Sequence, residues 1–190
     1  EPEIQAYETF IRSIFPDARG PDDDDRAAPD ATGILLNYHN ATSPGTMLIP
    51  WGWTEERAPD DAALSAIADR YVAFNGYDRS RALYEVSGNT RDWGYGELGV
   101  PSYVIELEGN AFFTPCNALP AVLEAQRDAL VTMLALADRP YERIAGPEVT
   151  ALEVAGAITS GTPVTVTVRL DESRAGGEPV AGAELTVALP

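Results

Sequence analysis

The sequence contains no lysine. All thirteen of its basic residues are arginine, and they face thirty acidic residues for a formal net charge of -17. A surface of that sign repels nucleic acid and anionic membranes, so neither is expected as a partner. It suits a high-salt or extracellular setting, or a GC-rich genome. Cysteine is nearly absent as well: Cys116 stands alone, which excludes an intrachain disulfide. No run approaches the roughly twenty apolar residues of a membrane span. There is no Gly-rich phosphate loop, no G-x-S-x-G elbow and no C-x-x-C pair. The chain opens on Glu1 rather than methionine, and a processed or cut chain is the expectation.

Histidine is equally scarce. The one imidazole, His39, follows the apolar run Ile34-Leu35-Leu36 in GILLNYHNAT. A catalytic zinc usually takes about three protein ligands plus a water, so His39 alone makes no such site. It is either a core residue or one ligand of a set completed elsewhere.

What is present reads as helices and strands in alternation. Residues 3–15, EIQAYETFIRSIF, place Ile4, Tyr7, Ile11, Ile14 and Phe15 on one helical stripe, which Pro16 ends. The Pro-, Gly- and Asp-rich stretch that follows is an exposed loop, and its DDDD (22–25) lacks the ligand spacing of an EF-hand. Residues 33–39 read as a strand covered on both faces and ending at His39. TMLIP (46–50) is a short strand, and DDAALSAIADRYVAFNG is a helix capped by aspartate and closed by glycine. The chain is irregular after Tyr77, with a short helix near 92–98. VPSYVIELEG (100–109) is an apolar strand carrying Glu106. Residues 118–140 form a long helix that Pro140 stops. After Gly146-Pro147, three segments rich in valine and threonine alternate with period two: VTALEVAG, PVTVTVRL and AELTVAL.

Two residues stand out on chemistry. An ionised Glu106 in a dry strand costs several kcal/mol unless paired. Functional residues gather at strand ends in sheets covered by helices, and His39 and Glu106 both sit on apolar strands. A third feature is LYEVSGNTRDWGY, where a tyrosine stands in a flexible turn able to close over a ligand.

The order and spacing of EPEIQA, NYHN, PWGW, LYEVSGNTRDWGYG and VPSYVIELEG resemble the C-terminal half of zinc metallocarboxypeptidases of the A/B/T kind, from Glu1 to about Tyr141. The resemblance implies zinc as cofactor and peptide as substrate. It places His39 on the family's second zinc histidine and Glu106 on the general base and acid. Tyr84 falls on the mobile tyrosine that closes over substrate. Arg91 falls on a pocket-floor residue that selects the C-terminal side chain. The H-x-x-E motif carrying the other zinc ligands is absent, as are the carboxylate-gripping arginines. The missing N-terminal half of the catalytic domain is therefore an expected partner, and the chain alone is expected to be inactive. An arginine at position 91 implies a preference for C-terminal Asp or Glu.

The expected fold is α/β: a mixed sheet covered by helices, a partial zinc carboxypeptidase fold over residues 1–146. The start of an Ig-like or fibronectin-like β-sandwich, incomplete with three strands, follows over 147–190. The expected function is removal of C-terminal residues from peptides by an exported parent enzyme. Two alternatives remain: a non-catalytic family member that binds peptide termini, and an extracellular structural or adhesive module in which the β region does the work.

Overall fold

A computed structural model of the chain describes residues 1–145, 148–156, 161 and 163–171. Among these residues five helices and six strands follow in the order α1 (Pro2–Ile14), β1 (Leu35–Thr42), β2 (Thr46–Leu48), α2 (Asp61–Asn75), β3 (Asp78–Ser80), α3 (Thr90–Leu98), β4 (Ser102–Glu108), α4 (Leu119–Leu136), α5 (Pro140–Ala145), β5 (Glu148–Ala155) and β6 (Thr165–Asp171). The first four strands form one sheet in the order β1-β4-β2-β3. Within it β1 runs parallel to β4, β2 antiparallel to β4, and β3 parallel to β2. The expected mixed α/β sheet is thus present.

One sheet face carries the core. Met47 lies across from Ile105 on adjacent strands, both fully buried. They join Leu64, Ile67 and Tyr71 of α2 and Ala129 and Met133 of α4 in one apolar cluster. Burial of a large aliphatic side chain stabilises by about 1.5–3 kcal/mol, so this cluster locks the sheet onto its helices. The helices stop where local chemistry dictates. Gly76 closes α2 in a left-handed conformation, φ 69°, with its N–H returned to the Val72 carbonyl. Asn89 caps α3, its side chain accepting from the Asp92 N–H at 2.9 Å.

Several boundaries differ from the sequence expectation. The strand expected at 33–39 is β1, which begins two residues later, runs on to Thr42 and lies at the sheet edge. It is half-exposed rather than covered on both faces, because among the described residues nothing pairs with its outer side. His39 therefore lies inside the strand, not at its end. The stretch after Tyr77 is not wholly irregular: Asp78–Ser80 pair with β2. Pro140 does not stop the long helix. That helix ends at Leu136, and Pro140 opens α5, where a missing N–H costs nothing. On the α1 stripe only Ile11 is buried, while Ile4 and Ile14 are exposed.

Downstream, β5 and β6 pair antiparallel, from Glu148 against Asp171 to Ala155 against Thr165. The third expected strand, AELTVAL, lies outside the described residues, as does the boundary at Gly146-Pro147.

Beneath the sheet runs a buried polar chain. The Tyr71 hydroxyl donates to Gln126 Oε1 at 2.6 Å and Asn75 Nδ2 donates to the same oxygen at 3.0 Å. Gln126 Nε2 donates to the Tyr77 hydroxyl at 2.9 Å, which also accepts the Glu108 N–H at 3.0 Å. Gln126 thus satisfies α2, α4 and the end of β4 at once. Gln126→Leu takes the side-chain partner from Asn75 Nδ2 and one partner from each of the Tyr71 and Tyr77 hydroxyls, which keep Tyr38 and the Glu108 N–H. Urea unfolding is expected to show a loss of about 3 kcal/mol.

Candidate active site

The opposite sheet face is polar. His39 pairs in register with Glu106 on β4, and Glu106 with Thr46 on β2. Two residues earlier, Asn37 pairs with Val104, and Val104 with Leu48. Side chains on one strand face recur every second residue, so these rows lie side by side on one surface. The His39 Nδ1 stands 3.3 Å from Glu106 Oε2. The imidazole is 55% exposed and the carboxylate 13%, so the pair sits at an opening with the acid on the inner side. Phe112 meets the imidazole edge-on at 6.1 Å, and Asn40 Nδ2 holds the Phe112 carbonyl at 2.9 Å.

A cleft of about 300 Å³ opens at this pair. His39, Glu106, Tyr84 and Arg91, the four residues singled out from sequence, all line it, together with Asn37 and Leu48. Tyr84 is 71% exposed, on a loop pinned at both ends. Arg81 donates to the carbonyls of Glu55 and Glu56 at 2.7 and 2.8 Å, and the Val86 N–H reaches the Gly52 carbonyl at 2.9 Å.

Arg91 is the opposite case. It is 2% exposed, yet its Nε and Nη2 have no hydrogen-bond partner among the described residues. The nearest carboxylate is Asp92, at 3.6 Å from Nε. Burial pushes the guanidinium below its ordinary pKa, opposed by the charges of Asp92 and Glu106. Arg91 therefore does not bend away to a surface acid. It forms part of the cleft wall as a cation with unused donors.

A model of the family described as zinc carboxypeptidase matches residues 1–129. The chain belongs to the zinc carboxypeptidase family. A zinc carboxypeptidase A 1 from Anopheles gambiae is 30% identical over 120 residues, 54% of this chain and 27% of the relative. A zinc carboxypeptidase from Simulium vittatum is 31% identical over 118 residues, 53% of this chain and 37% of the relative. The chain thus spans roughly a third of the curated relatives it matches. Zinc is the cofactor that goes with this family.

The donor set suits one side of such a centre. A half-exposed imidazole offers a ring nitrogen, and a neighbouring carboxylate stands within hydrogen-bond reach. One nitrogen does not fill a zinc site, which takes about three protein ligands. Among the described residues, three such groups come together only in the loop before β1. There carboxylate oxygens of Asp22, Asp24 and Asp25 lie within 4.8 Å of one another on the surface, far in character from an imidazole site. His39 and Glu106 are thus the imidazole–carboxylate pair that the cleft holds.

Sequence reasoning passed over Asn37, whose Nδ2 donates to Thr90 Oγ1 at 3.0 Å and so ties β1 to the start of α3. It also passed over Gly52. A Cβ there would coincide with Arg91 Nη2 and lie 2.7 Å from Cζ, so only glycine admits the guanidinium. The period-two pattern His39/Asn37 was the available signal for the first; the second has no local signal.

A buried cation with unmade hydrogen bonds is a cost to the fold. Asp92, by contrast, keeps its own partners in the Gly52 N–H and Asn89. Arg91→Met is expected to raise the unfolding free energy by about 1 kcal/mol in urea titration.

Proposed function

We propose that this chain is the part of a zinc-dependent carboxypeptidase that supplies one zinc ligand, the proton-transfer group and the specificity wall, and that the parent enzyme removes C-terminal residues from peptides. One observation carries the reading: an imidazole and a carboxylate meet across β1 and β4 at the mouth of a cleft with Tyr84 on its rim and Arg91 in its wall.

In this reading His39 holds the metal through a neutral ring nitrogen. Bound zinc supplies a Lewis acid for the scissile carbonyl and for water. Glu106 takes the proton of the attacking water and returns it to the leaving amine, a role that requires hydrogen-bond reach of the reacting atoms. Tyr84 closes over the bound peptide, shielding the reacting bond from solvent.

Arg91 supports a preference for C-terminal Asp or Glu. Its unused donors match a carboxylate, and a charge-assisted pair satisfies both groups at once. An apolar side chain in the same cleft leaves those donors unmade. The remaining zinc ligands and the grip on the terminal carboxylate belong to the rest of the parent protein, so the 190-residue chain alone is inactive. The acidic, lysine-free surface is consistent with an extracellular setting, and no helix among the described residues is long and apolar enough to cross a membrane. The β region after residue 147 is an accessory sandwich in this reading.

Two measurements in the full-length enzyme test the proposal. Glu106→Gln is expected to lower kcat by about 10²–10⁴ while zinc content is retained. Intact turnover in that variant sends the reading to the non-catalytic, peptide-binding alternative. Arg91→Met is expected to cut the kcat/KM ratio of Glu-ended over Leu-ended peptides by about 10–100-fold, whereas an unchanged ratio removes the acidic preference.

A further inference from the structure

Arg91 is the second residue of α3, following Thr90. That is the positive end of the helix dipole, an unfavourable place for a cation. Its guanidinium is also buried and short of hydrogen bonds. Three costs fall on one group, and something in the fold must hold it in the cleft wall. Asp92 is the nearest carboxylate. It is 8% exposed and does not itself line the cleft.

Asp92 is held tightly. Both its oxygens accept the Gly52 N–H at 3.0 Å, Oδ2 accepts Asn89 Nδ2 at 2.5 Å, and its own N–H is taken by Asn89 Oδ1. These bonds stitch the first turn of α3 to the segment after β2. The same Gly52 presents the bare backbone face that Arg91 lies against. One carboxylate thus holds the surface under the guanidinium and faces its Nε at 3.6 Å.

We propose that Asp92 is a positioning residue for substrate selection: acting with Gly52, it keeps the Arg91 cation enclosed in the cleft wall, where its charge selects an incoming side-chain carboxylate. The inference rests on the acidic-preference reading of the site and deepens it. Asp92 never meets the substrate. It supplies a counter-charge that is too far and too occupied to neutralise Arg91 by hydrogen bonding, so the cation stays buried and still unsatisfied. Burial pushes the Asp92 carboxyl above the usual carboxylate range, and Asn89, Arg91 and the Gly52 N–H oppose that shift. Without that charge, only Glu106 is left to offset the burial of Arg91, and the guanidinium turns out toward water. With a methyl on residue 52, its berth is filled.

The test uses the full-length enzyme with blocked dipeptides ending in Glu, Gln or Leu. Glu and Gln share shape, so their ratio isolates charge recognition. Asp92→Asn and Gly52→Ala are each expected to lower the Glu-over-Gln ratio of kcat/KM about tenfold, with the change in KM rather than kcat. Hydrogen exchange at Arg91 Nε, followed by NMR, is expected to quicken in both variants as the guanidinium leaves the wall. A purely structural role for Asp92 moves stability but neither readout. If Asp92→Asn folds poorly, Gly52→Ala, which adds one methyl, carries the test. A Glu-over-Gln ratio that survives both variants, while Arg91→Met abolishes it, overturns the positioning role and leaves the acidic preference standing. A ratio untouched by Arg91→Met removes the preference, and this inference with it.

Discussion

The parallel pairing of β1 with β4 is the constraint on which the site depends. It sets His39 against Glu106, and a slip of one residue would turn the imidazole to the other face. What prevents the slip lies beneath the sheet. Tyr38, adjacent to His39, points to the core side, where its hydroxyl meets that of Tyr71 at 2.9 Å. Ile105, adjacent to Glu106, is fully buried in the cluster with Met47. Each functional side chain therefore has a neighbour anchored on the opposite face. Packing on one side of the sheet determines chemistry on the other.

The cleft combines two kinds of side chain with opposite freedom. Tyr84 is exposed, on a loop held by the Arg81 bonds to the Glu55 and Glu56 carbonyls. Arg91 is enclosed, backed by Gly52 and accompanied by an aspartate whose oxygens are already occupied. A surface arginine would be hydrated and would gain little from an anion, because water already satisfies it. A buried one with unmade bonds gains much more.

Legibility in the sequence varied with how local each feature is. The helix ends at Gly76 and the Asn89 cap follow from nearest neighbours in the chain, and they are visible in the residue string. The order of NYHN, LYEVSGNTRDWGYG and VPSYVIELEG was enough to single out His39, Tyr84, Arg91 and Glu106, because a family's spacing records geometry that a single residue does not. The edge position of β1 was misjudged. Ile34-Leu35-Leu36 reads as doubly buried, but burial of a strand depends on which neighbours the sheet provides, and that is a long-range property. Pro140 was misjudged for a related reason: proline ends one helix and begins another equally well, and only the packing of α5 decides between them.

By itself the sequence determined the class of fold, the family, the acidic surface and the identities of the groups available for chemistry, since these follow from residue type, spacing and short-range periodicity. Tertiary structure alone decided that the imidazole and carboxylate meet at 3.3 Å, that the arginine is enclosed rather than solvated, and that Gly52 and Asp92 stand behind it. Those facts depend on contacts between residues distant in the chain, His39 with Glu106 67 positions apart and Gly52 with Asp92 40 positions apart. No local pattern encodes such contacts; they exist only once the sheet has closed on its helices.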